Sequence, residues 1–119
     1  MHPISNGSED RQVRAAKNQS LFREINERIQ GLNEGFSVVL PESEWICECA
    51  NESCIELITM TLGEYEAVRA KPNRFFVKAA DDHVWPDVEQ VVERTDEYWV
   101  VEKFGLGAAV AAEANPRSR

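Results

Sequence analysis

Three cysteines, Cys47, Cys49 and Cys54, fall within eight residues, and the chain contains no others. An odd number of cysteines cannot all be paired in disulfides within one chain. In a reducing compartment, clustered cysteines are metal ligands or redox groups more often than structural bridges. The sequence therefore indicates thiolate chemistry in this segment.

The spacing of the cysteines favours a metal site. In a strand, Cys47 and Cys49 lie on one face, and a turn over residues 50–53 returns Cys54 to it. Zinc binds thiolates and neutral imidazoles at about 2.0–2.3 Å, in tetrahedral geometry. A fourth ligand usually comes from a distant segment, and His83 lies in a predicted polar loop after a gap of 28 residues. The other histidine, His2, lies in a tail that nothing anchors. The sequence predicts zinc bound by Cys47, Cys49, Cys54 and His83.

Three alternatives to this site remain open. The cysteines could be buried free thiols, or a redox-active pair with the third cysteine resolving the disulfide. A carboxylate from Glu52 or Asp82 could replace the histidine. A site closed by three cysteines and one histidine has no open position for substrate, which favours a structural role. Glu48, between two ligands, is expected to point away from the metal, since strand side chains alternate.

One long helix should precede the cluster. It is predicted to begin at Ser8 or Asp10 and to end near Asn33, where Gly31 and Gly35 supply the stop. Apolar residues at helical spacing are predicted to face the core: Leu21, Phe22, Ile25, Ile29 and Leu32. Two charged pairs are predicted on the outer surface: Arg23 with Glu27, and Glu24 with Arg28.

Short strands and two shorter helices follow in the prediction. The strands cover residues 36–40, 44–49, 55–60, 74–78 and 98–104. Thr61 and Glu64 have the capping-box spacing that begins a helix, and residues 106–114 are weakly helical. Residues 88–94 suit a helix or a strand, and we favour a hairpin with the strand that follows. The predicted fold class is α+β, a long N-terminal helix packed on a small, mainly antiparallel sheet with a metal-stabilised end. It forms one domain, 9–114, between disordered tails, 1–8 and 115–119.

Charge distribution limits the choice of partners. The formal net charge is −8, and residues 36–68 contain seven glutamates and no lysine or arginine. Such a field repels phosphates, so nucleic acid binding is not expected. Solubility explains it in part, and an acidic face for a basic protein partner is the other interpretation. No apolar run spans a membrane and no signal peptide begins the chain, so a cytoplasmic location is expected.

Four segments resemble a family of small, uncharacterised bacterial proteins, mainly actinobacterial. They are residues 21–29 (LFREINERI), 47–54 (CECANESC), 62–69 (LGEYEAVR) and 98–103 (YWVVEK). The resemblance extends over residues 15–117. It implies a histidine at the position of His83 and a free-standing cytoplasmic protein, and it implies no activity.

These observations predict a small soluble protein-interaction module that is stabilised by zinc, with a regulatory role. The sequence has no phosphate-binding glycine loop, nucleophile elbow or helical His-Glu-x-x-His arrangement, so catalysis is not favoured. The main alternative is a thiol-based redox protein or sensor that uses Cys47, Cys49 and Cys54. A zinc protein that binds nucleic acid, and a small-molecule sensor with tryptophans lining its pocket, are weaker alternatives.

Overall fold

The computed structural model of the protein describes residues 7–34 and 42–118. In this part of the chain it has three α-helices and five β-strands. The helices are α1 (Gly7–Glu34), α2 (Leu62–Arg69) and α3 (Gly105–Glu113). The strands are β1 (Glu42–Ile46), β2 (Leu57–Thr61), β3 (Arg74–Lys78), β4 (Glu89–Arg94) and β5 (Tyr98–Lys103). The strand predicted over 36–40 lies outside the described residues.

The strands form two small antiparallel sheets. β1 pairs with β2, and the second sheet has the order β3-β5-β4. The amide of Glu48 donates to the carbonyl of Phe76 at 2.9 Å, so the chain leaving β1 lies against the outer edge of β3. The predicted α+β class, a long N-terminal helix with small antiparallel sheets, is confirmed. The hairpin prediction for 88–94 is also confirmed, since β4 pairs with β5 around a bulge between Val91 and Glu93.

An aromatic core joins the two sheets to α2. The rings of Trp45 and Tyr65 stack with centroids 4.1 Å apart, and Phe76 meets Tyr65 edge-on. All three side chains are fully buried. The Trp45 indole N–H donates to the carbonyl of Met60 at 3.0 Å, so its one polar group is satisfied. This core lies directly beneath the segment that carries the cysteines.

The buried face of α1 differs from the prediction. Leu21, Ile25 and Leu32 are exposed by 63%, 40% and 71%, and of the predicted stripe Ile29 packs against the core. The buried face instead consists of small and polar residues, namely Ala15, Ala16, Gln19, Ser20, Arg23 and Asn26. Helical periodicity identified an apolar stripe, but the polar side chains on another face reach buried hydrogen-bond partners and decide the orientation.

The predicted surface pair of Arg23 with Glu27 is wrong for the same reason. Arg23 is 2% exposed, and its guanidinium donates to both carboxylate oxygens of Glu48, at 2.7 and 2.6 Å. It also donates to the carbonyl of Arg74 at 2.7 Å. A guanidinium fits a carboxylate in this two-point geometry, and burial of the pair requires such complete satisfaction.

The C-terminal residues also make contacts where disorder was predicted. Pro116–Ser118 form a short 3₁₀ helix. Arg117 donates to the carboxylates of Glu27 and Glu66 at 2.8 and 2.6 Å. None of the helices in the described ranges combines the length and apolar character that crossing a membrane requires.

Candidate metal centre

A hairpin brings the three cysteines together. β1 and β2 pair with Ile46 opposite Leu57, and the amide of Cys47 extends the ladder by donating to the carbonyl of Glu56 at 3.0 Å. Continuing that register sets Cys49 opposite Cys54. The amide of Cys54 donates to the carbonyl of Asn51 at 3.0 Å, which closes the turn. The turn therefore returns Cys54 to the other two cysteines, as the sequence predicted.

His83 comes from the segment after β3. The edge of β3 lies beside Glu48, so the end of this strand arrives next to the cysteines. A short 3₁₀ helix, Asp81–His83, follows, and the amide of His83 donates to the carbonyl of Ala80 at 3.1 Å. This tight turn directs the imidazole back to the hairpin.

The four side chains form one compact cluster. The sulfurs of Cys47, Cys49 and Cys54 and a ring nitrogen of His83 all lie within 4.8 Å of one another. His83 Nδ1 is 3.5 Å from Cys47 Sγ and 3.8 Å from Cys54 Sγ. Tetrahedral zinc with ordinary bond lengths has S–S edges of about 3.8 Å and S–N edges of about 3.6 Å. The cluster could hold a metal ion.

The carboxylates considered as replacements for the histidine lie outside this cluster. Glu52 is exposed at the hairpin turn. The Asp82 side chain is 83% exposed, and its oxygen is 4.0 Å from His83 Nε2, the nitrogen on the far side of the ring from Nδ1. Asp82 therefore lies beside the ring nitrogen that faces away from the sulfurs.

Backbone groups form hydrogen bonds with the sulfurs. The amide of Lys78 donates to Cys47 Sγ at 3.3 Å. Cys49 Sγ donates to the carbonyl of Asn51 at 3.8 Å. Burial raises the pKa of Cys54, and a hydrogen bond with the backbone of Glu56 acts against it. An amide donor such as that of Lys78 stabilises negative charge on sulfur. Sequence reasoning missed the Lys78 amide, because its position depends on where β3 ends relative to the hairpin.

The thiols compete for ionisation. The hydrogen bond from Cys47 lowers the pKa of Cys49 to about 5, against burial, which raises it. The same hydrogen bond and burial raise the pKa of Cys47, and burial raises that of Cys54. One thiolate thus disfavours ionisation of the others, and a divalent cation, if bound, would allow all three to ionise together.

Glu48 points away from the cluster, as predicted. Its carboxylate lies against α1, where it accepts from Arg23 and from the Asn26 amide group, and the amide of Phe76 donates to it at 3.3 Å. Asn26 also exchanges two hydrogen bonds with the backbone of Ile46, at 2.8 and 2.9 Å. The residues next to Cys47 are therefore fixed to α1. A carboxylate that points away from two neighbouring cysteines into the fold needs a cation there. The position of Glu48 in the sequence could therefore have indicated that a basic residue such as Arg23 is buried.

The fold and the cluster together define a small α+β protein with a three-cysteine, one-histidine site that could hold a metal ion. No family model matches the chain, and comparison with curated proteins and with solved structures finds no similar protein. The functional argument therefore depends on the site itself.

Proposed function

We propose that the protein is a small protein-interaction module stabilised by one structural zinc ion. Cys47, Cys49, Cys54 and His83 are the ligands. The observation that carries this proposal is the convergence of the four ligand atoms within 4.8 Å, with S–N distances of 3.5 and 3.8 Å that match tetrahedral edges.

The donor set favours zinc over other common cations. Thiolates and imidazole suit zinc, whereas magnesium and calcium prefer oxygen ligands. Four protein ligands complete a tetrahedron and leave no position for substrate, so the role is structural. Three thiolates and Zn²⁺ leave a net charge near −1. The amide of Lys78, which donates to Cys47 Sγ, offsets part of it.

The surface around the site supports a role in binding another protein. Glu42, Glu44 and Glu52 are exposed around the site, whereas Glu48 is buried against Arg23 and Glu56 pairs with Lys78. Ile55 and Leu57 are 88% and 57% exposed beside them. An acidic surface with exposed apolar side chains fits a basic protein partner and repels nucleic acid. A cytoplasmic location fits the three free thiols, which persist in a reducing compartment.

Elemental analysis tests the metal. We expect one zinc per chain in the purified protein, and His83→Ala should weaken zinc binding by more than the roughly 10–100-fold that loss of an outer partner costs. His2→Ala is the matched control, since it removes the other histidine of the chain, and it should keep full zinc content. Full retention of zinc by His83→Ala would exclude His83 as a ligand.

Chelation tests the structural role. Removing zinc should lower the free energy of unfolding by about 4 kcal/mol, relative to protein with free zinc at about 1,000 times its dissociation constant. Urea unfolding followed by tryptophan fluorescence measures this change, because Trp45 lies two residues from Cys47. Adding zinc back should restore the original midpoint. An unchanged midpoint would show that the metal is not structural.

A thiol-based redox protein is the alternative that the same geometry supports. All three cysteines are free thiols, and Cys49 comes opposite Cys54 if the β1–β2 register is continued beyond Ile46 and Leu57. A peroxide would oxidise two of the thiols to a disulfide. The two electrons and two protons that the thiols lose would cleave the peroxide O–O bond, giving two waters from hydrogen peroxide, or one water and one alcohol from an organic peroxide. Protein purified without zinc and with three freely titrating thiols would favour this alternative.

A further inference from the structure

The strand β2 has one edge without a partner strand. β2 pairs with β1 alone in the described sheets. The carbonyl of Glu56 accepts from Cys47, so backbone groups at Glu56 and at alternate residues after it face β1. The amides and carbonyls of Ile55, Leu57 and Thr59 therefore face the opposite edge. Within 7–34 and 42–118, no hydrogen bond joins these groups to another residue.

Exposed apolar side chains lie along this edge. Ile55 and Leu57 are 88% and 57% exposed, and Leu57 is opposite the half-buried Ile46 of β1. Proteins usually protect such edges with lysine, proline or a bulge. Residues 55–61 contain no lysine, arginine or proline. The edge is therefore able to accept another strand.

The charge of the hairpin selects between occupants. Glu42 and Glu44 are exposed on β1, and Glu52 is exposed at the turn. Two copies of the chain would each carry a formal net charge of −8, and the repulsion between them disfavours pairing through β2. A segment rich in lysine or arginine would gain attraction at the same place.

We propose that the β2 edge, residues 55–61, binds an extended basic segment of a partner protein as an added strand. This inference rests on the proposed interaction function and names the surface and the chemistry of the partner. Main-chain hydrogen bonds to Leu57 and Thr59 supply affinity, and alternate side chains of the partner supply specificity. Apolar side chains of the partner contact Ile55 and Leu57, while its cations face the hairpin glutamates.

Binding of defined peptides to the zinc-loaded full chain tests the proposal. The probe is a short fluorescent peptide that carries two valines and then two lysines at alternate positions, so that all four share one face, with threonines between them. The matched peptide has glutamate in place of each lysine. Anisotropy should show the basic peptide binding at least about tenfold more tightly, and added salt should weaken it. Two N-methylated versions of the basic peptide, one methylated at the odd and one at the even amides, each lose the main-chain donors on one side. The version whose methyl groups face the β2 edge should lose binding, and the other should keep it.

A proline variant locates the binding on the protein. Thr59→Pro removes an amide that faces the open edge, a change that an edge strand tolerates. It should weaken binding of the basic peptide about tenfold. Thr59→Val keeps that amide and should bind normally. Amide resonances of Leu57 and Thr59 should shift on binding. Zinc content of each variant checks that the hairpin is intact, and the methylated peptides need no variant at all.

Several results would overturn the inference. They are equal binding of basic and acidic peptides, equal binding of every methylated peptide, or resonance shifts confined to Leu21 and Ile25 of α1. Self-association that Thr59→Pro abolishes would assign the edge to a second copy instead. Zinc content separates the two proposals: zinc-loaded protein that binds no peptide contradicts the edge alone, and zinc-free protein that binds it contradicts the metal alone.

Discussion

The cysteine hairpin and the buried face of α1 stabilise the same domain by opposite means. The positions of three of the four proposed ligands follow from one short hairpin, since Cys47, Cys49 and Cys54 lie within eight residues. The contacts of α1 are long-range. For example, Lys103 donates to the side-chain oxygen of Gln19 at 2.7 Å, although the two residues are 84 apart in the chain. Local chemistry can be inferred from spacing, whereas contacts of the second kind depend on the whole fold.

The two regions also differ in energetics. A bound metal adds stability that depends on its concentration and can be removed by a chelator. A buried ion pair adds little net stability, because desolvation offsets attraction, but loss of one partner leaves a charge unpaired. Arg23 with Glu48, and Lys103 with Glu89 at 3.2 Å, are such pairs. We infer that these pairs fix which face of α1 is buried.

Arg23→Met should have the largest effect among the α1 variants. It leaves the fully buried Glu48 carboxylate without its cation, and the free energy of unfolding should fall by about 3–5 kcal/mol. Because Glu48 lies between Cys47 and Cys49, zinc affinity should fall as well. Urea unfolding and zinc titration measure the two effects.

Lys103→Met is the matched control for that coupling. It leaves Glu89 unpaired in a site whose hydrogen bonds come from Gln19 and the amide of Trp85, so no bond is lost at a residue next to a cysteine. Its loss of stability should be similar, about 3–5 kcal/mol, with zinc affinity unchanged. Equal zinc affinities in both variants would show that the α1 contacts and the metal site are independent.

Sequence patterns predicted the short-range features and failed on the orientation of α1. Strand alternation and turn chemistry placed the cysteines, and the Thr61 capping box was found at the predicted position. The apolar stripe of α1 was assigned to the core because Leu21 and Ile25 have helical spacing. It is exposed because Arg23 and its polar neighbours meet buried partners that no local pattern reveals.

Acid should weaken a third α1 contact. Burial would raise the pKa of Glu27, but hydrogen bonds from Arg117, Tyr65 and Arg69 outweigh it and lower this pKa from 4.5 to about 2. The stabilisation is present above pH 4.5 and is lost as the pH falls towards 2. Since water screens part of the network, the loss should be about 1–2 kcal/mol.

The variant Glu27→Gln isolates this contribution. Its stability should depend less on pH between 4.5 and 2 than that of the unmodified protein. The exposed Glu97→Gln is the control and should leave the pH dependence as it was. Parallel acid profiles for Glu27→Gln and the unmodified protein would contradict the assignment of the α1 network.

Thr61→Ala removes a local contact of α2 and should cost less. Thr61 Oγ1 accepts from the amide of Glu64 at 3.0 Å, and the Glu64 carboxylate accepts from the amide of Thr61 at 2.8 Å. Loss of such a cap costs about 1 kcal/mol. Thr61→Ser keeps the oxygen and should be nearly neutral in thermal unfolding. If Thr61→Ala lowered the free energy of unfolding as much as Arg23→Met does, local and long-range contacts would not differ in their contribution to stability.

Leu21→Ser should have the smallest effect, although the apolar pattern would predict a large one. Leu21 is 63% exposed, so its replacement should change the free energy of unfolding by no more than about 0.5 kcal/mol. Ile29→Ala, on the part of the stripe that packs against the core, should cost about 2 kcal/mol, near the low end for a large-to-small change. Urea unfolding of both variants at several protein concentrations measures the contrast. A cost for Leu21→Ser as large as that for Ile29→Ala would mean that the polar face of α1 does not set its orientation.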